Sequence, residues 1–112
     1  MKDLDWSLVA DVIFMQYWPI RLWPMDKHHH YIGGPGGYGV GYGAPAAVGA
    51  ALANKKHGRL TVNFQYDGDL MFAPGALWTA ARHHIPLLTV SVEHRVAREV
   101  TGTQRTQRTR RI

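Results

Sequence analysis

The chain has 112 residues, 46% of them hydrophobic, with four Trp and five Tyr, which is enough for one globular domain with a core and too apolar for a wholly disordered polymer. It contains no cysteine, so disulfides, thiolate zinc sites and cysteine nucleophiles are excluded, and a reducing cytoplasm suits it. The net charge of +5 is confined to one end: residues 95–112 hold six Arg against one Glu, while residues 1–94 balance seven basic against seven acidic side chains.

At the start, MKDLDW carries acidic residues where a secretory leader would be basic, so no leader is read there. Ser7 to Val12 reads as a short strand. Phe14 to Trp23 reads as an aromatic-rich helical segment interrupted by Pro19, whose ring and missing amide bend or end a helix. Lys27 to Tyr31 follows, with His28, His29 and His30 in succession. Neighbouring residues on a strand face opposite ways, so this run reads as a half-exposed edge rather than a metal site. The stretch GGPGGYGVGYGAP at 33–45 is a Gly-rich turn opening a helix over Ala46 to Ala53. Pro45 suits the first helical position, where its missing N–H has no intrahelical partner. The helix is rich in small side chains that allow close approach to a sheet, and it is too short to span a bilayer. Gly58 offers a stop. Arg59 to Gln65, RLTVNFQ, reads as a strand. Phe72 to His84 reads as a helix with Pro74 near its start and Leu77, Ala80, Ala81 and His84 along one stripe. Pro86 to Val92, PLLTVSV, is nearly continuously apolar, the pattern of a strand covered on both faces.

Strand, helix and strand at these lengths make a βαβ unit with parallel strands and a right-handed crossover. Both strands then end on one edge of the sheet, so Asp67 can meet Glu93 and His94 around one ligand, at the edge where open parallel sheets bind. The turn YDGDL at 66–70 follows the first of these strands. The amides of Gly68, Asp69 and Leu70 could face a phosphate there, and the Asp67 carboxylate suits a hard cation such as Mg²⁺.

Residues 36–90, GGYGVGYGAPAAVGAALANKKHGRLTVNFQYDGDLMFAPGALWTAARHHIPLLTV, resemble the diphosphate-binding domain of thiamine-diphosphate-dependent enzymes, in particular the acetolactate synthase-like decarboxylases and carboligases. The resemblance extends over residues 5 to about 92. It implies an α/β fold of three layers, a mostly parallel sheet with helices on both faces, here truncated. It also implies thiamine diphosphate and Mg²⁺ as cofactors, and 2-keto acid decarboxylation and carbon–carbon ligation in a complete enzyme. Under the resemblance Tyr66, Asp67 and Gly68 fall on the family's Gly-Asp-Gly, with Asp67 as metal ligand and the turn through Asp69 and Leu70 on the diphosphate. Val40 falls where the family has an apolar wedge beneath the cofactor, flanked by the backbone of Gly39 and Gly41.

The departures are specific. The family's motif closes with two Asn, the second a metal ligand. Glu93 and His94 stand there, so His94, with Glu93 as alternative, is the expected second ligand, although imidazole suits Zn²⁺ better than Mg²⁺. Tyr66 replaces the first Gly. From Arg95 the resemblance stops, and the Thr-Gln-Arg repeat cannot bury enough surface to fold alone. The expected organisation is a partial thiamine-diphosphate-binding domain over 1–94 and a disordered basic tail over 95–112, as in a truncated or frame-shifted copy. The family's pyrimidine-binding domain and its activating glutamate have no counterpart among Asp67, Asp69, Glu93 and Glu99. The chain is therefore expected to be inactive alone, to need a second copy or a partner chain, and to contact no membrane. Two alternatives stand beside this reading. Gly34, Gly36 and Gly39 fit the G-x-G-x-x-G of a nicotinamide-dinucleotide domain, but no acidic residue follows at the distance needed to hold a ribose. A nucleic-acid-binding module would rest on the basic tail alone.

Overall fold

The computed structural model describes residues 4–10, 21–33 and 39–92. Four parallel strands form one sheet in the order β2, β1, β3, β4: β1 is Trp6–Ala10, β2 Tyr31–Ile32, β3 Leu60–Tyr66 and β4 Leu87–Val92. Trp6 pairs with Leu60 and Ala10 with Phe64, and Thr61 to Tyr66 run beside Leu87 to Val92. Among the described residues, residues 21–22 are helical and three further helices accompany the strands: α1, Gly43–Lys55; α2, a single turn at Asp67–Leu70; and α3, Gly75–Arg82. The parallel α/β reading therefore holds.

Period-two alternation sorts the sheet into two different faces. Trp6, Leu8 and Ala10 of β1 and Val62 of β3 form a buried cluster, extended by Leu60, Phe64, Trp23, Met25 and Tyr31. The intervening positions, Ser7, Val9, Thr61, Asn63 and Gln65, are also buried, and α1 packs against β1 and β3. Ala44, Ala47 and Ala51 are its buried apolar contacts, small enough to bring the helix close. Asn54 of α1 then spans the two strands: its Nδ2 donates to Ser7 Oγ and Thr61 Oγ1, each at 2.9 Å. A second cluster joins Ala51 and Val48 of α1 to Ala80, Ile85 and Leu87.

Several boundaries differ from expectation. Helix α1 starts at Gly43, which puts Pro45 two positions further into the first turn, where its missing N–H still has no intrahelical partner. Gly58 does end the helix, at φ +64°. The amide of Gly58 donates to Lys55 O, and that of Arg59 to Asn54 O, the paired bonds of a Schellman turn. Helix α3 is shorter than 72–84: Pro74 caps it and His83 closes it. His84 takes φ +50°, the amide of Ile85 returns to Ala80 O, and Ala81 and His84 are exposed. The expected stripe through Ala81 and His84 is therefore not formed. Strand β4 is only half-buried, with Leu88 50% exposed, because it is the outer strand of the described sheet. The histidine run is a turn over residues 27–30 leading into β2, with His28 exposed, His29 intermediate and His30 buried. The helical segment read over 14–23 falls outside the described residues except for 21–23, as does the end of the first predicted strand at Asp11 and Val12.

Candidate functional site

The carboxyl ends of β3 and β4 lie side by side, Tyr66 opposite Val92. The chain leaves β3 directly into α2, whose first residue is Asp67. Asp67 Oδ1 accepts the amide of Gly68 at 2.8 Å, so the carboxylate is tied to its own turn, and that amide is already engaged. The turn itself is helical: α2 closes with Met71 N donating to Asp67 O, and the helix read over 72–84 begins only at Gly75, as α3.

Twenty-eight positions earlier in the chain, the turn before α1 meets this one. The amide of Gly41 donates to Asp69 Oδ1 at 2.5 Å, a hydrogen bond strengthened by the carboxylate charge. Gly41 sits at φ +84°, and a Cβ there would lie 2.9 Å from Phe72 Cβ. Only glycine meets both conditions, the left-handed backbone and the close approach of the second turn. Val40 is 67% exposed beside this junction, with Met71 and Phe72 also exposed. Gly39 and Gly68 have open space where a Cβ would stand. Tyr42, the residue before α1, donates its hydroxyl to Gly33 O at 3.3 Å, holding the two ends of the Gly-rich stretch together.

Asp69 Oδ2 is buried and has no hydrogen-bond partner. A carboxylate oxygen withdrawn from water without a donor is costly, and a cation or a donor group supplied at this edge would relieve it. The residues present thus fit a cation-bearing ligand at the junction of the two turns. Glu93 and His94, and Gly34 and Gly36 of the dinucleotide alternative, lie outside the described residues, as does the basic stretch 95–112.

Sequence reasoning named Gly39, Val40, Gly41, Asp67, Gly68, Asp69 and Leu70, and the fold gathers them at one edge. It missed the direct bond between Gly41 and Asp69, for which the sequence carries no signal beyond the two motifs. It also missed the pair Asn63 and Gln65, fully buried on β3 behind the edge. Asn63 Nδ2 donates to Gln65 Oε1 at 2.7 Å. Polar residues at alternate positions of an otherwise apolar strand were the available clue.

Residues 11–111 match the family "Thiamine pyrophosphate enzyme, C-terminal TPP binding domain". The chain belongs to that family. The match takes in the Gly-rich turn, β3, α2 and β4, and runs on through the basic stretch past Arg95. The chain is 32% identical over 78 residues to the acetolactate synthase isozyme 1 large subunit of Escherichia coli, an alignment covering 70% of this chain and 14% of that protein. It is 35% identical over 60 residues to the benzoylformate decarboxylase of Pseudomonas aeruginosa, covering 54% and 11%. A solved structure from Mycobacterium smegmatis, described as a thiamin diphosphate-dependent enzyme, superposes with a TM-score of 0.71 at 29% identity, covering 80% of this chain and 18% of that one. The chain therefore spans less than a fifth of the length of each of these relatives. The family match does not favour the nicotinamide or nucleic-acid alternatives. Among the described residues no helix is long and apolar enough to cross a membrane.

Proposed function

We propose that this domain binds thiamine diphosphate through Mg²⁺, as the diphosphate-binding part of a cytoplasmic, acetolactate synthase-like 2-keto acid decarboxylase or carboligase. The observation that carries this reading is the bond from Gly41 to Asp69, because it joins the two motifs that the resemblance assigns to one cofactor. Asp67 would ligate the metal, with His94 or Glu93 as the second protein ligand. The orphaned Asp69 Oδ2 supports a cation at this edge. The backbone of Asp69 and Leu70 would face the diphosphate, and Gly68 would keep the turn open to it. Val40 would support the cofactor from the Gly39–Gly41 turn, a role its exposure leaves room for.

The bound cofactor supplies the chemistry that breaks and forms bonds at the keto carbon. The chain's own residues bind, orient and shield it. None of Asp67, Asp69, Glu93 and Glu99 matches the family's activating glutamate, so the 112 residues alone are expected to be inactive, with the rest of the site supplied from outside them. A half-open site would also leave the reacting centre exposed to water.

The test is calorimetry with thiamine diphosphate, with and without Mg²⁺, on the 112-residue chain and on its Asp67→Ala variant, followed by a pyruvate turnover assay. Metal-dependent binding that Asp67→Ala abolishes, with no turnover, is the expected result. Binding indifferent to both Mg²⁺ and Asp67 would overturn the metal assignment. Sustained turnover by the chain alone would overturn the incomplete-site reading.

A further inference from the structure

A second constellation lies at the opposite edge of the sheet. Asp5 immediately precedes β1, and Arg59 precedes β3, so both stand at the amino ends of the strands, about 25 Å from Asp67 by the length of β3. One ring nitrogen each of His29 and His30 and a carboxylate oxygen of Asp5 lie within 4.8 Å of one another. His29 Nε2 is 2.7 Å from Asp5 Oδ1. We propose that Asp5, His29 and His30 form a binding site for Zn²⁺.

Three observations support it. The donor set is two imidazoles and one carboxylate, which suits Zn²⁺ with a water in the fourth position and suits Mg²⁺ poorly. His30 also has capacity to spare. Its side chain is only 6% exposed, and its Nδ1 is buried without a hydrogen-bond partner. Asp26 Oδ1 comes within 3.0 Å of His30 Nδ1, but not in hydrogen-bonding alignment. Finally, the three residues are held in place before any ion arrives. Leu60 N donates to Asp5 O at 3.0 Å, Leu8 N to His30 O at 2.8 Å, and His30 N to Lys27 O at 3.0 Å. The Trp6 ring stacks on His30 at 4.3 Å between centroids. Arg59 Nε holds Asp5 Oδ2 at 2.9 Å, and its Nη1 is held by Asn54 Oδ1 at 2.8 Å, leaving Oδ1 toward the histidines. Such outer contacts orient metal-binding carboxylates.

The ion would take the place of the hydrogen bond between His29 Nε2 and Asp5 Oδ1. Its competitor is Lys27, whose Nζ is 3.9 Å from Asp5 Oδ1. That side chain is half-exposed and can turn away into water.

The experiment titrates the 112-residue chain with ZnCl₂ in a calorimeter and records the visible spectrum with CoCl₂. One ion per chain and a tetrahedral Co²⁺ spectrum are expected. His29→Ala and Asp5→Asn should each weaken Zn²⁺ binding by about tenfold or more, a loss equivalent to one good ligand contact. Lys27→Ala should strengthen it. His28→Ala, an exposed member of the same run, should leave it within about twofold. His30→Ala risks the core because the ring is buried, so Asp5→Asn, at a partly exposed position, carries the decision if that variant does not fold. The proposal fails if the unmutated chain takes up no Zn²⁺ at submillimolar concentration. It also fails if His28→Ala, or removal of the exposed pair His83 and His84, lowers binding as much as His29→Ala does.

Discussion

Replacing Gly41 by Ala tests the junction on which the cofactor site depends. The substitution acts in two ways. An L residue in the left-handed region costs roughly 1–2 kcal/mol, and Gly41 sits at φ +84°. The new Cβ would stand 2.9 Å from Phe72 Cβ, inside the usual carbon–carbon contact of about 3.5–4.0 Å. Phe72 or the turn must move, for about 1–3 kcal/mol more. The reduced freedom of Ala in the unfolded chain returns about 0.4–1 kcal/mol. The net expectation is a destabilisation of about 2–3 kcal/mol, which for a domain of this size lowers the melting temperature by roughly 10 °C or more. Gly39→Ala is the matched control, since its Cβ would meet nothing within 4 Å. That variant should change stability by no more than about 0.5 kcal/mol. Urea unfolding of the three proteins, followed by tryptophan fluorescence, measures the difference. Equal midpoints for Gly41→Ala and Gly39→Ala would refute the reasoning, because the close approach of the two turns would then not exist as described.

Three further outcomes follow from the same structure. Asn54→Leu should destabilise the fold by about 2–4 kcal/mol, since it leaves the buried hydroxyls of Ser7 and Thr61 without their shared donor; a loss below about 1 kcal/mol in urea unfolding would show that the network is dispensable. The His29 hydrogen bond, and after it that of Arg59, lower the Asp5 carboxyl from 3.8 to about 2. The resulting stabilisation is complete above the unfolded value and is lost as pH falls through the folded one. The gap in urea midpoint between the unmutated chain and Asp5→Asn should therefore narrow from pH 5 to pH 2, about the range those values span, and a constant gap would contradict it. Finally, thiamine diphosphate binding in Mg²⁺ should be tighter for His94→Asn than for the unmutated chain, because an amide oxygen is the harder ligand; an unchanged affinity would mean that position 94 is not a ligand.

The fold was legible wherever a residue type is forced by backbone geometry, and less so where another residue performs the same task. Gly58 and His84 make the comparison directly. Both occupy the left-handed position that ends a helix, and both are followed by an amide that returns to the carbonyl five residues back. Glycine announces that turn. Histidine does not, so the sequence extends α3 through His84 although the chain has already reversed. What permits the costlier residue is tertiary: the reversal buries Ile85 against Ala51 and Ala80, and burying a side chain of that size contributes roughly 1.5–3 kcal/mol, enough to offset the left-handed backbone. Strand β4 illustrates a different gap. Its apolar run was read as burial on both faces, but a run of Leu and Val specifies only that a strand can be covered, and the partners that would cover it are not encoded in the run itself.

The candidate site divides in the same way. Asp67 and the Gly-rich turn were recognisable one by one, because an Asp-Gly at the end of a strand and a run of glycines leave marks in sequence. That the two turns meet depends on parallel pairing, which brings the exit of β3 to the turn before α1, and on Asp69 reaching back to the Gly41 amide. The two oxygens of Asp69 differ: Oδ1 accepts from Gly41 and closes the turn, and Oδ2 is left buried without a donor. Most buried carboxylate oxygens have a hydrogen-bond partner. Asp69→Asn separates the two oxygens, since an amide oxygen can still accept from Gly41 while the negative charge is lost. If the orphaned oxygen is there to face a cation, this variant should fold with a urea midpoint close to that of the unmutated chain and yet bind thiamine diphosphate with Mg²⁺ more weakly. If instead the midpoint falls and the affinity of the folded fraction is unchanged, Asp69 is a turn residue only, and the case for a cation at this edge rests on Asp67 alone.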